Sequence, residues 1–191
     1  MRSARTRQLI IEAYLALLRE SPQIPTAVSI AHRSGYSVRS IFERFPDLHT
    51  LRVAAADDVM LRAATQVASQ KGVGGRMERL RMHVQTRGRV CEEWLPLWRA
   101  LNANQGDSAD LKNRIRLIRE MVIQRLEEVY APELATLGEP ERRQTVLALE
   151  ALVDFESWAR MREHFALSFD EACGVWTRAI DRLLPETKPV S

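Results

Sequence analysis

Apolar residues recur at three- and four-residue intervals along almost the whole chain, and no segment sustains the two-residue alternation of a half-buried strand. That pattern confines the chain to an all-α fold, because each helix has one apolar stripe and must bury it against other helices. In a first helix, expected from about Ala4 to Arg19, the stripe is Ile10, Ala13, Tyr14, Leu17 and Leu18. Pro22 and Pro25 in "ESPQIP" end it, since proline lacks an amide hydrogen and clashes with the preceding turn. Thr26 can cap a second helix running to about Arg33. Gly35 breaks the pattern, Ser37 caps a third helix, and Val38, Ile41, Phe42 and Phe45 form its inward stripe up to Pro46. Asp47 can cap a fourth helix reaching about Gln70.

"KGVGG", Lys71 to Gly75, reads as a hinge, and further helices are expected at about 76–93, 96–104, 108–130, 140–165 and 169–184. "NANQGDS" and "APELATLGEP" are the turns between them, and "PETKPVS" is a frayed tail. The expected architecture has about nine helices: an N-terminal three-helix domain in 1–50, a connecting fourth helix over 47–70, and a larger bundle in 71–191.

Composition narrows the function. The 191 residues are 46% hydrophobic and 28% charged, which fits a soluble globular protein. No apolar run approaches the roughly 20 residues that cross a bilayer, so no membrane partner is expected. Basic residues precede an apolar stretch at the N-terminus, but Glu12 interrupts it and no small-residue cleavage site follows, which favours a cytoplasmic helix over a signal peptide. Cys91 and Cys173 match no metal or redox spacing and read as packing residues of a reducing compartment. Residues 1–50 hold seven arginines against four acidic residues, whereas the remainder is balanced, so the whole net charge of +3 sits in the N-terminal quarter. An excess of that sign and place suits a polyanion partner.

Enzyme chemistry lacks its residues. A di-iron bundle needs Glu-x-x-His pairs, but Ser29, Pro46, Leu80 and Met161 stand three before the four histidines. There is no His-Glu-x-x-His, and "GVGG" lacks the Lys-Ser/Thr of a phosphate-cradling loop. No enzyme, metal or cofactor is expected.

The stretch from Thr26 to Phe45 has what a helix-turn-helix requires. Ala31 is small enough for a crossing helix, Gly35 tolerates a positive φ four residues later, and Ile41 returns to the crossing beside Ile30 and Val38. A structural hairpin would use the same apolar residues. The outward residues Ser37, Arg39, Ser40, Glu43 and Arg44 favour a helix whose N-terminal half enters a major groove. Arg39 is the first candidate for a bidentate contact to guanine, Ser37 and Ser40 can reach base or phosphate, and Thr26 lies at a helix N-terminus suited to a phosphate.

On these residues, "TRQLIIEAYLALL…PTAVSIAHRSGYSVRSIFERFPDLHTLRVAA" resembles the DNA-binding domain of the TetR family of bacterial transcriptional regulators, over residues 6 to about 56. "WARMREHFALSFDEACGVWTRAIDRLL" resembles the end of such proteins. The resemblance implies a homodimer on double-stranded operator DNA, a ligand cavity in the C-terminal domain, and dimerisation through the last two long helices. Two positions depart from the family. Phe42 stands where a tyrosine hydroxyl often meets a phosphate, keeping the packing and losing the contact, and Leu48 replaces a lysine. Tyr36, Arg44, His49 and Arg7 are candidate replacements.

The last helices carry more apolar surface than one packing face requires, and Leu152, Phe155, Trp158, Val175, Trp176 and Ile180 are the expected dimer interface. Met82, His83, Trp98, Leu101 and Met121 are candidates to line a cavity for a small apolar or amphipathic effector, with ordinary core packing as the other reading of each. The expected function is a ligand-responsive regulator, a repressor on a palindromic operator. The alternative is a regulator-like helical dimer that has lost operator binding and acts through protein contacts.

Overall fold

A computed structural model describes residues 2–21, 23–68 and 74–186. Among these the chain is all-α, with no strand. The helices are α1 (Arg2–Glu20), α2 (Ala27–Ser34), α3 (Val38–Phe42), α4 (Leu48–Ala68), α5 (Arg76–Asn104), α6 (Ala109–Val129), α7 (Ala131–Leu134), α8 (Glu139–Leu152), α9 (Phe155–Ala159) and α10 (Phe169–Leu183). A π-helical turn, Arg160–His164, follows α9. Pro22, Gln70, most of the expected hinge (71–73) and the tail from 187 lie outside the described residues.

Four sequence expectations change. Helix α5 runs through Pro96, where a break was expected. Proline removes one hydrogen bond to the turn before it, but Trp94, Leu95, Leu97 and Trp98 around it are all buried, and side-chain burial outweighs one lost bond. The helix expected over 140–165 is three elements, because Asp154 turns extended and accepts the amide of Glu156 at 2.8 Å, starting α9 anew. Apolar spacing continues across that break, so periodicity alone does not reveal it. The "APELATLGEP" turn contains the short helix α7. Helix α3 ends at Phe42, four residues before Pro46.

Packing divides the chain into two compact units. The first comprises Met1–Thr65 with Pro96–Arg116, so it takes in a segment from the middle of the chain. Its core holds Ile10, Ile11, Tyr14, Leu18, Ile30, Ile41, Phe45, Leu51, Ala55, Leu101 and Leu111. Asp47 caps α4, its carboxylate accepting the Thr50 amide at 2.6 Å, a bond that holds the carboxyl below its usual range. Arg114 pairs with both carboxylate oxygens of Asp57 at 3.0 and 3.1 Å.

The second unit comprises Gln66–Leu95 with Leu117–Ser191. Here α8 packs on α10. Trp158 packs at a tilt against Trp176 with centroids 4.8 Å apart and meets Phe169 edge-on at 5.4 Å. Ser168 and Glu171 form a capping box that starts α10. Arg79 pairs with the fully buried Glu133 at 2.5 Å and also donates to the Val129 carbonyl. Cys91 and Cys173 are buried here, and burial pushes both thiols up to about 11.

Candidate nucleic-acid interface

Helices α2 and α3 are positioned by three local devices. Thr26 caps α2: its hydroxyl accepts the Ser29 amide at 3.2 Å while the Ser29 hydroxyl accepts the Thr26 amide at 2.9 Å, a reciprocal capping box. Gly35 ends α2 at φ 73°, ψ 15°, the left-handed conformation that a Cβ disfavours, and its amide bonds back to the Ala31 carbonyl. Ser37 then caps α3 by accepting the Ser40 amide at 3.1 Å. Ile30 and Ile41 are fully buried at the crossing.

With Ile41 inward, the opposite face of α3 is solvent-exposed. Arg39 is the most open of its side chains, 89% accessible, with its Nε 3.1 Å from the Glu43 carboxylate. Ser37 is exposed and Ser40 half-buried. The inward position expected for Phe42 is a correction: Phe42 is 43% exposed. Only five residues of α3 are helical, and Phe45, on the turn after it, fills the inward site as expected, at 0% exposure. Phe42 then lies one helical turn from Arg39 on the outer face.

The other candidates are tied into the unit. Tyr36 is half-buried, its hydroxyl 3.4 Å from that of Thr6. Arg44 donates to the Ser40 carbonyl at 2.9 Å and lies 3.7 Å from Glu43. His49 faces the α6 start, 3.4 Å from the Ser108 hydroxyl and 3.8 Å from the Asp110 carboxylate, which was not foreseen. Arg7 stacks over the Phe45 ring at 4.6 Å. Thr26 and the following Val28 are exposed at the α2 start. Glu43, the ion-pair partner of Arg39, was read only as an outward residue, although its i, i+4 spacing is a sequence signal.

The expected effector residues fall in different units: Trp98 and Leu101 in the first, Met82, His83 and Met121 in the second. His83 is buried, and its Nδ1 shares a 2.8 Å hydrogen bond with the Tyr130 hydroxyl. Desolvation, aided by the Arg87 and Arg125 charges, holds the imidazole down at about 3, so it is neutral. Trp98 and Leu101 are buried, and Met82 and Met121 half-buried.

The expected dimer surface needs correction as well. Phe155, Trp158, Trp176 and Ile180 are buried within one chain, because the second unit needs them for its own core. Leu152 is half-buried and Val175 exposed. The exposed large apolar side chains of α8 and α10 are Leu147, Val175 and Leu183, of which 175 and 183 lie about two turns apart on one stripe.

Solved structures share this arrangement along nearly the whole chain. A TetR-family transcriptional regulator from Streptomyces coelicolor superposes with a TM-score of 0.75 at 16% identity, covering 94% of this chain and 80% of its own. A protein from Rhodococcus sp. described as a regulator of the same family gives 0.69 at 19% identity, covering 97% and 100%. The multidrug binding protein EbrR, solved with imidazole, gives 0.63 at 19% identity, covering 95% and 90%. No family model matches the sequence, and no curated protein matches it significantly. The chain has the fold of the TetR-family transcriptional regulators.

Proposed function

We propose that the protein is a TetR-family transcriptional regulator that binds a palindromic operator as a homodimer and represses the gene it occupies. One observation carries the reading: on this fold, α3 is capped by Ser37, held by Ile41, and turns Arg39, Ser40 and Phe42 outward on a helix short enough to enter a major groove. Arg39 contacts a guanine edge, and Thr26 and Ser37 hold phosphates. Leu147, Val175 and Leu183 form the dimer face, and two such helix pairs make a four-helix bundle that sets the reading helices about one DNA turn apart. An apolar or amphipathic effector binds the C-terminal part of the chain and lowers operator affinity, by no more than its differential affinity for the two conformations. The multidrug binding neighbour supports a small-molecule effector.

Selection of bound sequences from random duplexes tests this, with an enriched palindrome expected. A second reading, a helical dimer acting through protein contacts, draws on the engagement of Arg44 and His49 within the chain. Selection that enriches no sequence favours it.

A further inference from the structure

We propose that Phe42 reads the 5-methyl group of a thymine in the operator half-site, beside the guanine read by Arg39. The inference rests on the operator-binding reading above. Phe42 is 43% exposed, although Ile41, the residue before it on the helix, is fully buried. An aromatic ring left open on a reading face has no hydrogen-bonding group to offer a phosphate or a polar base edge. Along a major groove the one apolar group that base pairs present is the thymine methyl. Position 42 follows Arg39 by three residues, so both side chains leave the same face of α3. Three residues advance a helix by about 4.5 Å, against about 3.4 Å between successive bases of one strand. The methyl therefore lies one or two base steps from the guanine. In the free protein the Arg39 Nε donates to the Glu43 carboxylate, one turn further on. Phe42 is then a determinant of specificity, in the position where a hydroxyl would only have fixed register on the backbone.

The test uses the full chain and the palindrome returned by selection. Thymines within two steps of the Arg39-dependent guanine are replaced one at a time by deoxyuracil, which removes the methyl and keeps the base pair. One such replacement should weaken wild-type binding about fourfold when made in one half-site and about fifteenfold when made in both, the worth of burying one methyl. Phe42→Ala should bind thymine and uracil duplexes equally, and Phe42→Leu should recover part of the discrimination. Both variants should stay folded and unfold cooperatively at assay temperature, with Phe42→Ala melting somewhat below wild type because part of the ring is buried. Wild-type binding indifferent to uracil at all these positions overturns the proposal and leaves operator binding intact. A Phe42→Ala variant that still prefers thymine at the sensitive position also overturns it. Selection that returns no palindrome overturns both readings together.

Discussion

The indole of Trp158 occupies the space that a side chain at Gly88 would need: a Cβ built there would lie 2.7 Å from the ring. Phe169 closes the same space at 3.2 Å. The Trp158 ring cannot readily withdraw, because it is buried and lies against Trp176 in the core. Gly88→Ala should therefore destabilise the protein by about 1–3 kcal/mol despite the better helix propensity of alanine. The midpoint of urea unfolding measures this, and an unchanged or higher midpoint would contradict the packing described.

His83 predicts an acid-sensitive stability. Its folded-state pKa, about 3, lies below the ordinary value of 6.5. Between those values the unfolded chain binds a proton that the folded chain refuses, so stability falls as pH drops through 6.5 and levels off near 3. This one group should cost about 2 kcal/mol between pH 7 and pH 5. His83→Gln should remove that part of the slope, measured by urea unfolding at both pH values. An identical slope in the variant argues against a buried neutral imidazole.

Thr26→Ala removes the side-chain half of the capping box and should cost about 1 kcal/mol of stability, while Thr26→Ser keeps it. Chemical unfolding of the two variants separates them. Equal losses in both would place the effect in the lost methyl instead.

Arg39→Ala should weaken operator binding by about 1–3 kcal/mol and relax preference at one base pair per half-site. Glu43→Gln removes the negative charge beside its Nε while keeping an acceptor oxygen, and should change specificity less than affinity. Repeating the sequence selection with each variant reads both effects, and a preserved preference in Arg39→Ala would remove it from base recognition.

For the dimer, sedimentation should give about twice the 21.9 kDa chain mass. Leu147→Glu with Leu183→Glu should yield a folded monomer, because both side chains are exposed and leave the core untouched. A variant that still sediments as a dimer would move the interface elsewhere.

The reading helix shows how far the sequence reached. Ser37, Gly35, Thr26 and Ile41 were legible because caps, a left-handed turn and a crossing residue are local requirements met by particular residue types. Phe42 was misplaced because its spacing from Val38 and Ile41 fits a longer helix. Phe45 was placed inward correctly, but only packing showed that α3 stops at Phe42 and leaves that ring open. Trp158 and Trp176 were recognised as surplus apolar surface, but periodicity marks a buried face without saying what buries it. In three dimensions they bury each other, and the open stripe falls to Leu147, Val175 and Leu183. His49 likewise met Ser108 and Asp110 from a distant segment, a pairing that carries no sequence signal. The sequence by itself determined the helical class, the caps and the crossing, since these depend on neighbours within a few residues. The tertiary structure decided which apolar residues are core and which remain open, since burial depends on contacts between segments far apart in the chain.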